Sequence, residues 1–101
     1  MTNDRPLFIP LRSEWFQAFR DGRKRVEWRA WGPRWNRDVA HRGRPVVLSH
    51  GYSGARIRGT VVRTRRVPAH RAPAGARSIY PGARFLCAIH VALDSDARPR
   101  S

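Results

Sequence analysis

The stretch Ser13-Glu14-Trp15-Phe16-Gln17-Ala18-Phe19-Arg20-Asp21-Gly22-Arg23-Lys24-Arg25-Val26-Glu27-Trp28-Arg29-Ala30-Trp31 changes its hydrophobic period halfway along, and that change decides the fold. Trp15, Phe16 and Phe19 fall at helical spacing. Ser13 reads as the N-cap, Glu14 sits in the first turn where a negative charge is favoured, and Asp21-Gly22 supplies the stop. The spacing predicts a helix of about two turns over 13–20. From Lys24 the period is two. Val26, Trp28 and Ala30 take one face, expected to be the apolar inner side; Arg25, Glu27, Arg29 and Trp31 take the other, expected to be the outer side.

The rest of the chain continues the strand pattern. Leu7 to Leu11 reads as a short first strand closed by Pro10. Pro45 to His50 is a strand ended by Gly51, and Arg56 to Val67 is a long basic strand in which Gly59 marks an expected bulge. Residues 68–84 are rich in Pro, Ala, Gly and Arg, with Pro81-Gly82 as a turn signal. They read as a loop, either an arm that orders on nucleic acid or a variable insertion. Phe85, Cys87, Ile89, Val91 and Leu93 alternate without a break and put Cys87 on a core face. Five strands and one early helix predict a mainly β (α+β) barrel of about five to six strands, not a layered βαβ protein. One domain is expected over 1–101, ordered over 7–94, with flexible ends at 1–5 and 95–101.

Charge bounds the function. Lys and Arg number 21 against seven Asp and Glu, giving a net charge of +14, with a pI near 11.9. A GC-rich coding bias explains Arg in place of Lys but not three basic residues for every acidic one. Such a field attracts polyanions. Nucleic acid is the expected partner, RNA ahead of DNA, with ribosome association as a blander variant. The helix is too short and too weakly basic for a membrane surface. No apolar run approaches the length of a membrane helix, and residues 1–6 lack the pattern of a signal peptide. With Cys87 as the lone cysteine, no internal disulfide forms and a cytoplasmic location is expected. The four histidines show no metal-ligand spacing, so neither metal nor cofactor is expected.

Trp15-Phe16 followed by Gly22-Arg23-Lys24-Arg25-Val26-Glu27-Trp28-Arg29 resembles the signature of ASCH (activating-signal-cointegrator homology) domains, a G-x-K-x-x-E-x-R element after a strand and a short helix. Ser49 and Gly51 resemble the Ser and Gly of a later strand, and Phe85–Leu93 is similar to the closing strand. The resemblance spans about 7–94. It implies a PUA-like β-barrel with a cleft beside the helix, RNA binding in most members and hydrolysis in some. One branch hydrolyses N4-acetylcytidine with a Lys and a nucleophilic Thr three residues on; others are ribonucleases. Lys24 matches that Lys, whereas Glu27 stands at the Thr position. A carboxylate does not replace an activated hydroxyl nucleophile.

Lys24 is the only lysine. An ammonium is a compact charge that can lose its proton when buried, which a guanidinium cannot do. Glu27 and Arg29 are near neighbours on one strand face, either as an ion pair or as a base-edge acceptor and a phosphate fork. Trp31 and Trp35, interleaved with Arg29, Arg34 and Arg37, suit stacking on unpaired bases, and Arg25 is a further expected nucleic-acid contact. Trp28 fits a core position by parity. Arg56 and Arg58 share a face and suggest a phosphate track, and Ser49 and Tyr52 complete the expected nucleic-acid contacts. The alternative is an RNA-directed hydrolase in which Lys24 and Glu27 are catalytic, with His50 and Tyr52 auxiliary.

Overall fold

Leu7, Ile9 and Leu11 are buried while Phe8 is exposed and Pro10 half-buried, so β1 (Leu7–Leu11) commits one face to the core. The chain continues through α1 (Ser13–Arg20), β2 (Val26–Ala30), β3 (Pro45–His50), β4 (Arg56–Pro68), a 3-10 turn (Ala69–Arg71), α2 (Ala74–Ile79) and β5 (Phe85–Leu93). The structure is a computed structural model that describes residues 5–94; residues 1–4 and 95–101, expected to be flexible, lie outside the described residues. Arg5, expected in the loose end, is tied down, because its carbonyl accepts Nε of Arg44 at 3.0 Å.

The sheet order is β1-β3-β4-β5-β2. β1 runs parallel to β3, and the other pairs are antiparallel. The sheet curls into a half-barrel with β1 and β2 as its two edges. α1 packs Phe16 and Phe19 into the hollow against Ile9, Leu48, Val61 and Ile89. Arg12, not Ser13, caps the helix: its carbonyl accepts the N–H of Trp15 and Phe16, and no side chain caps the turn. At the other end Gly22 takes φ +81°, the left-handed geometry that ends a helix. The Arg23 and Lys24 amides then close on the Ala18 carbonyl.

β5 is buried on both faces. Cys87, Ile89, Val91 and Leu93 join the main core. Leu86 and Ala88 join a second cluster with Val67, Ala72 and Ala76, against which Val26, Trp28 and Tyr80 pack. This second cluster corrects two expectations. Residues 68–84 are not a bare loop; they form a 3-10 turn and α2 and cover the convex face over β2, β5 and the end of β4. The faces of β2 are also reversed. Glu27 and Arg29 pair with Ile89 and Cys87 and so lie on the main-core side, while Val26 and Trp28 lie under α2. Alternation marks two faces; the segment that folds over them decides which is which.

β4 carries its irregularity between Val61 and Arg63 rather than at Gly59. Gly59 serves closeness instead, since a Cβ there would stand 2.6 Å from the Ala92 carbonyl oxygen. The extra residue flips side-chain parity. Arg56, Arg58, Arg63 and Arg65 therefore all fall on the convex face, and Val67 reaches the second cluster.

Candidate functional site

The Lys24 backbone is fixed by its bond to Ala18, and β2 begins two residues later. This junction aims Lys24, Glu27 and Arg29 into one cleft of about 340 Å³. Pro10, Leu11, Arg12 and Trp15 wall it on the β1–α1 side, and Pro73, Ala76, Ile79 and Tyr80 wall it on the α2 side.

Glu27 is the hub. It is 6% exposed. One carboxylate oxygen lies 3.6 Å from Lys24 Nζ, and the other accepts Nε of Arg29 at 2.8 Å. The ammonium also sits over two rings, 5.2 Å from the Trp15 centroid and 5.5 Å from that of Phe19. Burial pushes the Lys24 pKa below that of an ordinary lysine; the Glu27 charge and hydrogen bond oppose this, and Arg29 adds to it.

Arg29 has a second duty. Its Nη2 donates to the Pro10 carbonyl at 2.8 Å, with its guanidinium 4.8 Å from the Trp35 ring centroid. β1 and β2 are the unpaired edges of the half-barrel, so this one side chain clasps the seam beside the cleft. Tyr80 fastens the opposite wall by donating its hydroxyl to the Trp28 carbonyl at 2.9 Å. Burial raises the Tyr80 pKa, against the pull of Arg29.

The cleft thus gathers an ammonium, a carboxylate and a guanidinium, with Trp15, Trp28 and Tyr80 among its lining residues. Such a site donates to and accepts from a polar ligand and offers aromatic surface beside it.

Other expected site residues lie elsewhere. Arg25 and Arg34 are exposed and do not line the cleft. Trp31 and Trp35 pack against the main core, and Trp31 lies 5.5 Å from the Arg37 guanidinium. Ser49 is fully buried, its hydroxyl without a hydrogen-bond partner among the described residues. His50 is exposed and stacks on Phe16 at 5.3 Å. Tyr52, Arg56 and Arg58 are exposed at the β3–β4 end of the sheet. Neither His50 nor Tyr52 lines the cleft with Lys24 and Glu27. Of the other lining residues, the four charged or aromatic ones all escaped the sequence reading. Arg12 and Trp15 carried a signal, being the start of the helix beside the motif; Trp28 was assigned to the core, and Tyr80 lay in a stretch taken as loop. Among the described residues no group of three or more His, Cys, Asp or Glu gathers as a metal site, and no helix is long and apolar enough to cross a membrane.

No family model matches the chain, and no curated protein matches it. Among solved structures it is similar to the "Crystal structure of hypothetical protein PH0355", with a TM-score of 0.65 and 12% sequence identity, covering 88% of this chain and 99% of that one. At that identity the likeness concerns the fold alone: a mostly β domain, a curled five-stranded sheet in a half-barrel with a helix after its first strand.

Proposed function

We propose that the chain is an ASCH-type, PUA-like domain of the cytoplasm that binds single-stranded or looped RNA, holding one nucleotide in the cleft. The observation that carries this reading is the convergence of Lys24, Glu27 and Arg29 in one concavity with aromatic walls, on a chain of net charge +14. Aromatic rings take an unstacked base, Lys24 and Arg12 meet phosphate, and Glu27 accepts from a base N–H. The test is fluorescence anisotropy with short labelled RNA and its DNA counterpart. Lys24→Ala is expected to weaken RNA binding by about tenfold, as loss of one charge-assisted contact does. An unchanged affinity in a folded variant removes the cleft from the binding surface. Equal affinity for the DNA strand removes the preference for RNA.

A second reading is favoured by one observation: the Lys24 amine, its pKa lowered by burial, lies beside a carboxylate. An amine whose burial favours the neutral form suits a general base, and Glu27 suits a proton carrier, as a hydrolase on RNA or a modified nucleoside requires. His50 and Tyr52 do not line the cleft with them. Incubation with RNA and with N4-acetylcytidine, beside Lys24→Ala, separates the two readings: turnover abolished by the substitution supports the enzyme, and no turnover leaves the binder.

A further inference from the structure

The cleft does not account for the most exposed aromatic side chain among the described residues. Tyr52, 79% exposed, stands on the turn between β3 and β4. Its ring lies 6.3 Å from that of Phe8, itself part-exposed on β1, and the Arg56 guanidinium lies 5.0 Å from the Phe8 centroid. Arg56 is anchored, not waving: Nη2 donates to the Tyr52 carbonyl at 3.1 Å and Nε to that of Gly54 at 3.4 Å. A guanidinium has five N–H donors, so others stay available while the group is already ordered. The turn that presents Tyr52 is tied by backbone bonds, the His50 N–H donating to the Ala55 carbonyl at 2.9 Å and the Gly54 N–H to the His50 carbonyl at 3.1 Å. Arg58 extends the charge along the same face of β4, two residues on.

The position of this patch relative to the cleft gives it meaning. Phe8 and Pro10 share one face of β1, and Pro10 lines the cleft. Two residues of strand separate them by roughly 7 Å. A chain leaving the cleft past Pro10 meets the Phe8 and Tyr52 rings next, with Arg56 and Arg58 beside them for its phosphates. We infer that this convex face is a second nucleic-acid contact, a stacking platform for the bases of a single strand whose neighbouring nucleotide occupies the cleft. The inference rests on the reading of the cleft as an RNA site and adds the path of the strand outside it. Charge complementarity selects the occupant: aromatic faces flanked by arginines suit a polyanion that carries stackable rings.

The test uses a labelled oligouridylate trimer and dodecamer with the wild-type chain and the variants Tyr52→Ala, Tyr52→Trp and Lys24→Ala. Tyr52 is so exposed that its truncation leaves the core intact, and circular dichroism checks this. The wild type is expected to bind the dodecamer much more tightly than the trimer. Tyr52→Ala should cost the dodecamer about tenfold in affinity, as loss of one base–ring stack does, and leave the trimer unchanged. Tyr52→Trp should restore the difference, and Lys24→Ala should weaken both oligomers. Because Tyr52→Ala changes no charge, a selective loss reports stacking and not phosphate count. A dodecamer affinity untouched by Tyr52→Ala overturns the platform, and this is also the outcome if the face serves a folded protein. If Lys24→Ala still weakens both lengths in that case, the cleft reading survives alone. If instead only the Tyr52 variant acts, the platform stands and the cleft reading falls.

Discussion

Glu27 is nearly buried and pairs with two part-buried cations, and its loss removes the carboxylate that both share. Breaking one side of a buried charge pair costs about 3–5 kcal/mol. Each kcal/mol corresponds to about 4–8 °C in a domain of this size, so Glu27→Ala is expected to lower Tm by at least about 10 °C in a circular-dichroism melt. Lys24 behaves oppositely. Burial disfavours its ammonium, Glu27 keeps Arg29 as a partner, and a Met at position 24 can pack on Trp15 and Phe19. Lys24→Met is therefore expected to hold or raise Tm while RNA affinity drops. A clear fall in Tm would show that Lys24 serves the fold, not a ligand. The two substitutions separate structure from function within one ion-pair cluster.

At the scale of elements, the β4 bulge and α2 determine what each face of the sheet does. After the bulge, Arg63 and Arg65 share the convex face with His90 of β5. Arg65 Nε donates to His90 Nε2 at 3.1 Å, a bond that needs an unprotonated acceptor nitrogen and so assigns the neutral tautomer with its proton on Nδ1. Burial lowers the His90 pKa from 6.5, with Arg65 and then Arg63 adding to the shift. The sign follows from linkage. As pH falls, the unfolded chain takes up this proton first, so the contribution is full above 6.5 and fades below it toward the folded-state pKa. The urea midpoint should decline as pH falls below about 6.5, and His90→Gln, which keeps an acceptor for Arg65, should flatten that decline. An identical pH profile in the variant would assign the slope to other groups.

The whole molecule acts through its field. The +14 charge is not spread evenly along the sheet, because the bulge collects Arg56, Arg58, Arg63 and Arg65 on one side. Binding to a single strand should follow a linear log–log dependence on salt, with a slope of about −0.7 for each phosphate neutralised. Three or more contacts predict a total slope steeper than about −2. An affinity that stays flat between about 50 and 200 mM salt contradicts an electrostatic docking surface and the proposed function with it.

Local pattern alone determined α1, the five strands and the Lys24-Glu27-Arg29 spacing, because helical and strand periods and the Gly22 stop are properties of neighbouring residues. Charge needed no structure either. Tertiary structure decided which face of β2 packs on the main core and which lies under α2, where β4 changes parity, and that 74–79 is a helix serving as a wall. Those outcomes depend on partners far apart in sequence: the Tyr80 hydroxyl on the Trp28 carbonyl, 52 positions away, and Arg29 on Pro10, 19 positions away. Periodicity tells a chain that it has two sides; only the contacts that close over them give each side its environment.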